Sequence, residues 1–196
     1  MNFLAHLYLA NTDKEVMIGN FIADSIVGNK FDHFSPKIQQ GIKMHRKIDE
    51  FTDNHPIFRQ SKRRLDEKYR LYKGVIIDIL YDHMLAKNWS NYSNIPLNTF
   101  SKGVYTLLED NFDILPKKTQ HLLPYMKSQN WLYSYRTEFG IASILHDMNV
   151  RTKGISKMNE SINDLQNNRI EFEDDFELFF KDITQFCTNY LENYER

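Results

Sequence analysis

The chain has 196 residues, 41% hydrophobic and 26% charged, with a net charge of −1. These proportions exclude a disordered chain and suit a single globular domain. The balance of 25 basic against 26 acidic residues leaves no surplus for nucleic acid, and no apolar run approaches the ~18 residues of a membrane-spanning helix. One cysteine, Cys187, excludes a disulfide framework and a cysteine-based zinc site. Met1–Ala10 is apolar but has no basic leader and no small-residue cleavage site, so the expectation is a cytoplasmic protein without membrane insertion.

Seven glycines and five prolines leave few turns, and the hydrophobic spacing is helical almost throughout. Glu15–Val27 carries Val16, Ile18, Phe21, Ile22 and Ile26 near a 3.6-residue period, with capping candidates at Asn11–Asp13. Ser35-Pro36 is an N-cap followed by proline at the first helical position, and predicts a helix to about Asn54. Pro56 opens a short helix, and Gly74–Trp89 a strongly apolar one. A further helix follows Pro96. Pro116 and Pro124 bracket a short segment, and Tyr125–Arg136 and Glu138–Arg151 continue the series. An amphipathic helix over residues 171–194, with Phe176, Phe179, Phe180, Ile183 and Phe186, closes the chain. No alternating strand pattern, repeat or long linker interrupts this order, so the expected fold is one all-α helical bundle over residues 1–196.

The chemistry-bearing residues lie in the first 90 positions. In MHRKID, His45 and Asp49 stand four apart and share a helix face, so both can address one ion or phosphate. Asp78 and Asp82 repeat the spacing inside VIIDILYDHML, with His83 adjacent. Like charges at that spacing oppose a helix unless something neutralises them, and a carboxylate in apolar company needs a cation, a proton or a hydrogen-bonded partner. Asp24 follows the apolar Phe21-Ile22-Ala23, and His6 sits in FLAHLYLA. Imidazole with carboxylate suits Mn²⁺, Fe²⁺ or Zn²⁺, and a set dominated by carboxylates leans toward Mn²⁺ or Mg²⁺. The bland counterparts are a core histidine at position 6, a surface helix pair at His45/Asp49 and a solvated face at Arg59–Lys73.

The blocks MNFLAHLYLA, GNFIAD with Gly28, GIKMHRKIDEFTDNHP, DILYDH-x5-W and W-L-x-x-Y-R occur in an order and spacing that resemble the acyl carrier protein phosphodiesterase family, over roughly Met1 to Arg151. That family is similar to divergent HD-type metallohydrolases, which are all-helical. The resemblance implies hydrolysis of the phosphodiester joining 4′-phosphopantetheine to a serine of holo-acyl carrier protein. It implies a divalent metal, Mn²⁺ foremost with Mg²⁺ or Fe²⁺ as alternatives. It places His45, Asp78 and Asp82 at the core of the metal set, with Asp24 and His6 as further ligands or orienters. Asp49, Arg46, Lys47 and His83 fall in the same blocks as candidates for orienting, water activation and charge stabilisation. Tyr8 stands where the family pattern carries a second histidine.

Acyl carrier proteins are acidic. Arg59–Lys73 holds seven basic and two acidic residues, so Arg59, Lys62, Arg63, Arg64 and Arg70 are the expected docking residues. The competing readings are an HD-like hydrolase of a nucleotide or other small phosphodiester, and a non-catalytic helical binding module whose acids sit in structural ion pairs.

Overall fold

In the computed structural model, which describes residues 1–194, helix α1 (Phe3–Leu9) is followed by α2 (Lys14–Ile22), capped by the Asp13 carboxylate on the Glu15 and Val16 amides at 3.0 Å. The helix expected to reach Val27 ends sooner. Ala23–Ser25 tightens into a 3₁₀ turn and Ile26 is extended, which leaves Asp24 on the outside of the turn. Helix α3 (Pro36–Asn54) has the bounds the sequence predicts, with the Ser35 hydroxyl accepting from the Ile38 amide at 3.3 Å and Pro36 in the first turn. Then come α4 (Pro56–Arg64) and α5 (Lys73–Lys87), joined by a 3₁₀ segment with a kink at Arg70 (φ 47°).

Backbone contact between α2 and α3 sets the geometry of everything near the N-terminus. A Cβ on Gly19 would stand 2.0 Å from the Ile38 carbonyl oxygen, and one on Gly41 2.2 Å from the Val16 carbonyl oxygen. Only hydrogen at both positions lets the two helices touch in this way. The contact puts Asn20, the residue after Gly19, against His45, one turn beyond Gly41.

The second half supplies α6 (Leu97–Asp110), α7 (Lys117–Ser128), α8 (Trp131–Ser134), α9 (Glu138–Arg151), α10 (Ser161–Asn167) and α11 (Arg169–Tyr194). Among the described residues there is no strand, and no helix is long and apolar enough to cross a membrane. Pro124 lies inside α7 rather than bounding a segment. It is exposed, and the buried face of Thr119, Leu123 and Met126 runs on beneath it, so packing carries the helix past the missing N–H. The expected Tyr125–Arg136 helix is broken at Asn130, which adopts the left-handed conformation (φ 46°) that asparagine tolerates.

Helix α5 is the spine. Ile76 to Ala86 are buried apart from Asp78, and α1, α4, α9 and α11 pack around them. Helix α11 lays Phe172, Phe176, Phe179, Phe180, Ile183 and Cys187 into the same core, the spacing its sequence predicts. It is also held by charge. Buried Asp175 accepts from the Ser61 hydroxyl (2.8 Å), the Gln60 amide (2.7 Å) and both arms of the Arg64 guanidinium (2.9 and 3.2 Å). Arg64, expected at a docking surface, is thereby a strut between α4 and α11.

Candidate metal centre

His6 on α1, and His45 and Asp49 on α3, come together at the start of the bundle. Their ligand atoms all lie within 4.8 Å of one another. The two imidazoles stack at 4.0 Å between centroids, with an 18° interplanar angle. His45 Nε2 is 3.2 Å from both Asp49 Oδ2 and Asp24 Oδ1. His6 Nε2 is 3.3 Å from Asp49 Oδ1 but off line for a hydrogen bond, and this buried nitrogen has no other partner.

Asn20 fixes both rings. Its side-chain oxygen accepts from His6 Nδ1 at 2.9 Å, and its main-chain carbonyl from His45 Nδ1 at 2.8 Å. Its amide nitrogen in turn donates to the His6 carbonyl at 2.9 Å. With Nδ1 committed as donor, each neutral ring presents a bare Nε2 lone pair to the Asp49 carboxylate. Lone pairs facing a carboxylate repel unless a cation lies among them, so the donor set fits a metal ion. In the metal-free protein a proton fills that need. Burial alone would lower the His45 pKa, but its bonds to Asp24 and Asp49 overcome this and hold it at about 9. His6, buried beside that charge, is lowered to about 4. Burial works to raise Asp49, yet the adjacent His45 and His6 imidazoles keep it well below the ordinary carboxylate range, and the bond to His45 lowers Asp24.

The cluster opens into a cleft of about 240 Å³ lined by Met1, Asp24, His45, Asp49, Thr52, Asp53 and Asp78. Asp78 holds the Met1 ammonium at 2.7 Å, and burial raises its pKa despite that cation. The buried Thr52 hydroxyl has no hydrogen-bond partner and belongs to the cleft wall.

The structure therefore gathers His6, Asp24, His45, Asp49 and Asp78, and sets other candidates apart. Asp82 is wholly buried beneath α1, where its oxygens accept from the amides of Asn2 (3.3 Å), Leu4 (2.7 Å) and Ala5 (3.2 Å). It answers the orphan donors of a helix start, the role a neutralising cation was expected to play. His83 points the other way and bonds the Tyr135 carbonyl at 2.7 Å. Arg46 grips the Gly28 carbonyl and the Asn29 side chain, pinning the loop before α3, and Lys47 pairs with Glu50 at 2.8 Å on the exposed face of α3. Neither lines the cleft. Tyr8 packs against Trp89 and Phe180, away from the cluster. Arg59, Lys62 and Arg63 lie along α4, and Arg59 donates to the carbonyl of Asp53, a cleft residue, at 3.1 Å. Arg70 is exposed at the kink beyond α4.

Sequence reasoning passed over Asn20 and Thr52. The signal for Asn20 was available: it is a polar residue inside the apolar run Val16–Ile22 of α2.

The comparisons with known proteins agree with one another. The family described as acyl carrier protein phosphodiesterase matches residues 1–183. A protein of Pectobacterium atrosepticum with that name is 32% identical over 188 residues, covering 95% of this chain and 97% of the other. One of Photorhabdus laumondii is 33% identical, with 96% of each chain covered, and one of Escherichia coli is 35% identical, with 84% of this chain and 86% of the other. No solved structure matches the chain. A family match over nearly the whole length, with relatives of the same name and size, means that the chain belongs to the acyl carrier protein phosphodiesterase family.

Proposed function

We propose that this chain hydrolyses the serine phosphodiester of holo-acyl carrier protein, releasing 4′-phosphopantetheine and apo-acyl carrier protein, with a divalent metal at His6, His45 and Asp49. The observation that carries the reading is the convergence of two Asn20-oriented Nε2 atoms on one carboxylate. Asp24 and Asp78 flank that set in the cleft. Two imidazoles with carboxylates suit Mn²⁺ or Fe²⁺, and Mn²⁺ remains the first choice, with Mg²⁺ the harder alternative. A bound ion of this kind supplies a Lewis acid for a phosphoryl oxygen and lowers the pKa of a water.

The protein's own part is orientation and charge. Asn20 is a positioning residue that sets both imidazole tautomers. Thr52 offers a free hydroxyl to a non-bridging phosphate oxygen. Asp24, at the open side and 3.2 Å from His45, can take the proton a nucleophilic water gives up. Hydrolysis forms one P–O bond to water, breaks the bond to the serine oxygen and returns a proton to that oxygen. Incubation with holo-acyl carrier protein and Mn²⁺ tests this. Chromatography should find free 4′-phosphopantetheine, and none from metal-loaded protein would contradict the reading.

Metal binding at pH 7 must displace the His45 proton, because that group holds it up to about pH 9. His6 and Asp49 are already unprotonated there. Apparent Mn²⁺ affinity is therefore expected to rise about tenfold per pH unit from pH 7 toward 9 and then level off. Calorimetry across that range reads it, and a flat profile would contradict the protonated-His45 account.

The basic face of α4, beside Asp53, is the proposed docking surface for the acidic carrier. Reversing Arg59, Lys62 and Arg63 to glutamate is expected to raise KM by roughly tenfold at low salt, with the difference mostly gone near 1 M salt. An unchanged KM at low salt would exclude this face.

A further inference from the structure

A second cavity, of about 330 Å³, lies between α8, α9 and the N-terminal residues. Its interior is formed by aromatic and aliphatic groups, among them Trp131, Ile144 and Met148, and its edge carries Arg136, Ser143 and Arg151. Phe139 belongs to it and is 87% exposed, a large apolar side chain left uncovered. None of these residues lines the metal cleft.

We propose that this cavity binds the pantetheine arm of the substrate while the phosphate sits in the metal cleft; the inference rests on the proposed function. Three observations support it. First, the cavities share a wall: Met1 lines the cleft, and Asn2 and Phe3 line this pocket. Consecutive Cα atoms are ~3.8 Å apart, so the two linings come within a few ångströms of each other at the start of α1, a span short enough for an extended arm to cross. Second, the lining matches the arm. An apolar interior with a few polar groups at its edge suits a gem-dimethyl carbon followed by two amides. Third, Arg136 and Arg151 at the edge are hydrogen-bond donors for the carbonyl oxygens of the arm's two amides. Arg136 is held over the Tyr133 ring at 4.1 Å, so its guanidinium is placed before any ligand arrives.

The test separates this pocket from the reaction. Mn²⁺-loaded protein is titrated calorimetrically with 4′-phosphopantetheine and with inorganic phosphate. Wild type is expected to bind 4′-phosphopantetheine at least tenfold more tightly than phosphate, with a change in Trp131 emission that phosphate does not produce and that Trp131→Phe removes. Ser143→Trp, which places a bulky ring in the cavity from an exposed position of α9, is expected to erase the tenfold margin and leave phosphate binding unchanged. Phe139→Ser, at a residue too exposed to unfold the protein, is expected to weaken 4′-phosphopantetheine two- to fivefold. Equal affinity for the two ligands in wild type, or a margin kept by both variants, overturns the pocket. Failure of wild type to release 4′-phosphopantetheine from holo-acyl carrier protein is a separate result and would overturn the function, while these titrations report on the cavity alone.

Discussion

Asp49→Ala is expected to lower kcat for 4′-phosphopantetheine release by on the order of 10³-fold. A metal acting as Lewis acid contributes several kcal/mol to such a step, and each ~1.4 kcal/mol is tenfold in rate. Among the described residues, Asp49 is the one carboxylate paired with both histidines, at 3.3 and 3.2 Å. Its side chain is 46% exposed, so alanine leaves no core cavity and the thermal midpoint should move little. The same change removes one of the two carboxylates that sustain the His45 proton, and the His45 pKa should fall from about 9 toward its ordinary value. Steady-state kinetics with an NMR titration of His45 checks both parts. Retention of more than a tenth of wild-type kcat would remove Asp49 from the metal set.

Gly41→Ala is expected to be strongly destabilising, although it adds a single methyl. The added carbon would lie 2.2 Å from the Val16 carbonyl oxygen and 2.9 Å from the Cα of Gly19, so α2 and α3 must move apart. Overpacking against backbone costs about 3 kcal/mol, which for a chain of this size is roughly 6–12 °C in Tm. The separation also pulls Asn20 from His45, so Mn²⁺ affinity should fall by roughly 10–100-fold, the cost of losing an outer-shell partner. Gly103→Ala on α6 is the control. A Cβ there meets nothing within 4 Å, and helix propensity predicts a neutral or slightly raised Tm. Equal melting of the two variants would refute backbone contact between α2 and α3.

What the sequence revealed follows the range of the forces involved. Helix α3 and helix α9 begin and end where the sequence predicts because Ser35-Pro36 and Thr137 act within one turn of chain. The passage of α7 through Pro124 and the break at Asn130 depend on packing and on a backbone state that local pattern does not specify. The site divides in the same way. His45 and Asp49 were legible because i,i+4 spacing on a helix makes them neighbours. Asp78 and Asp82 share that spacing, yet Asp78 meets the cleft and the Met1 ammonium while Asp82 meets the first amides of α1. Both carboxylates needed neutralising, as the sequence implied. A helix start answers part of that need, since burial still raises the Asp82 pKa to about 7, and spacing within one helix does not say which partner lies opposite. Asn20 stood out as a polar residue in an apolar run, but its two histidine partners lie on other helices and come to it only when α2 packs against α1 and α3.

The most direct test of the central claim is the intact mass of holo-acyl carrier protein after incubation with wild type and with His45→Ala, each in Mn²⁺ and in a chelator. Hydrolysis at the serine phosphodiester removes ~340 Da, the mass of the 4′-phosphopantetheine moiety freed by metal-assisted attack of water. That loss is expected for wild type with Mn²⁺ and for no other combination. Loss of the same mass with His45→Ala or in the chelator, or no loss with metal-loaded wild type, would contradict the account.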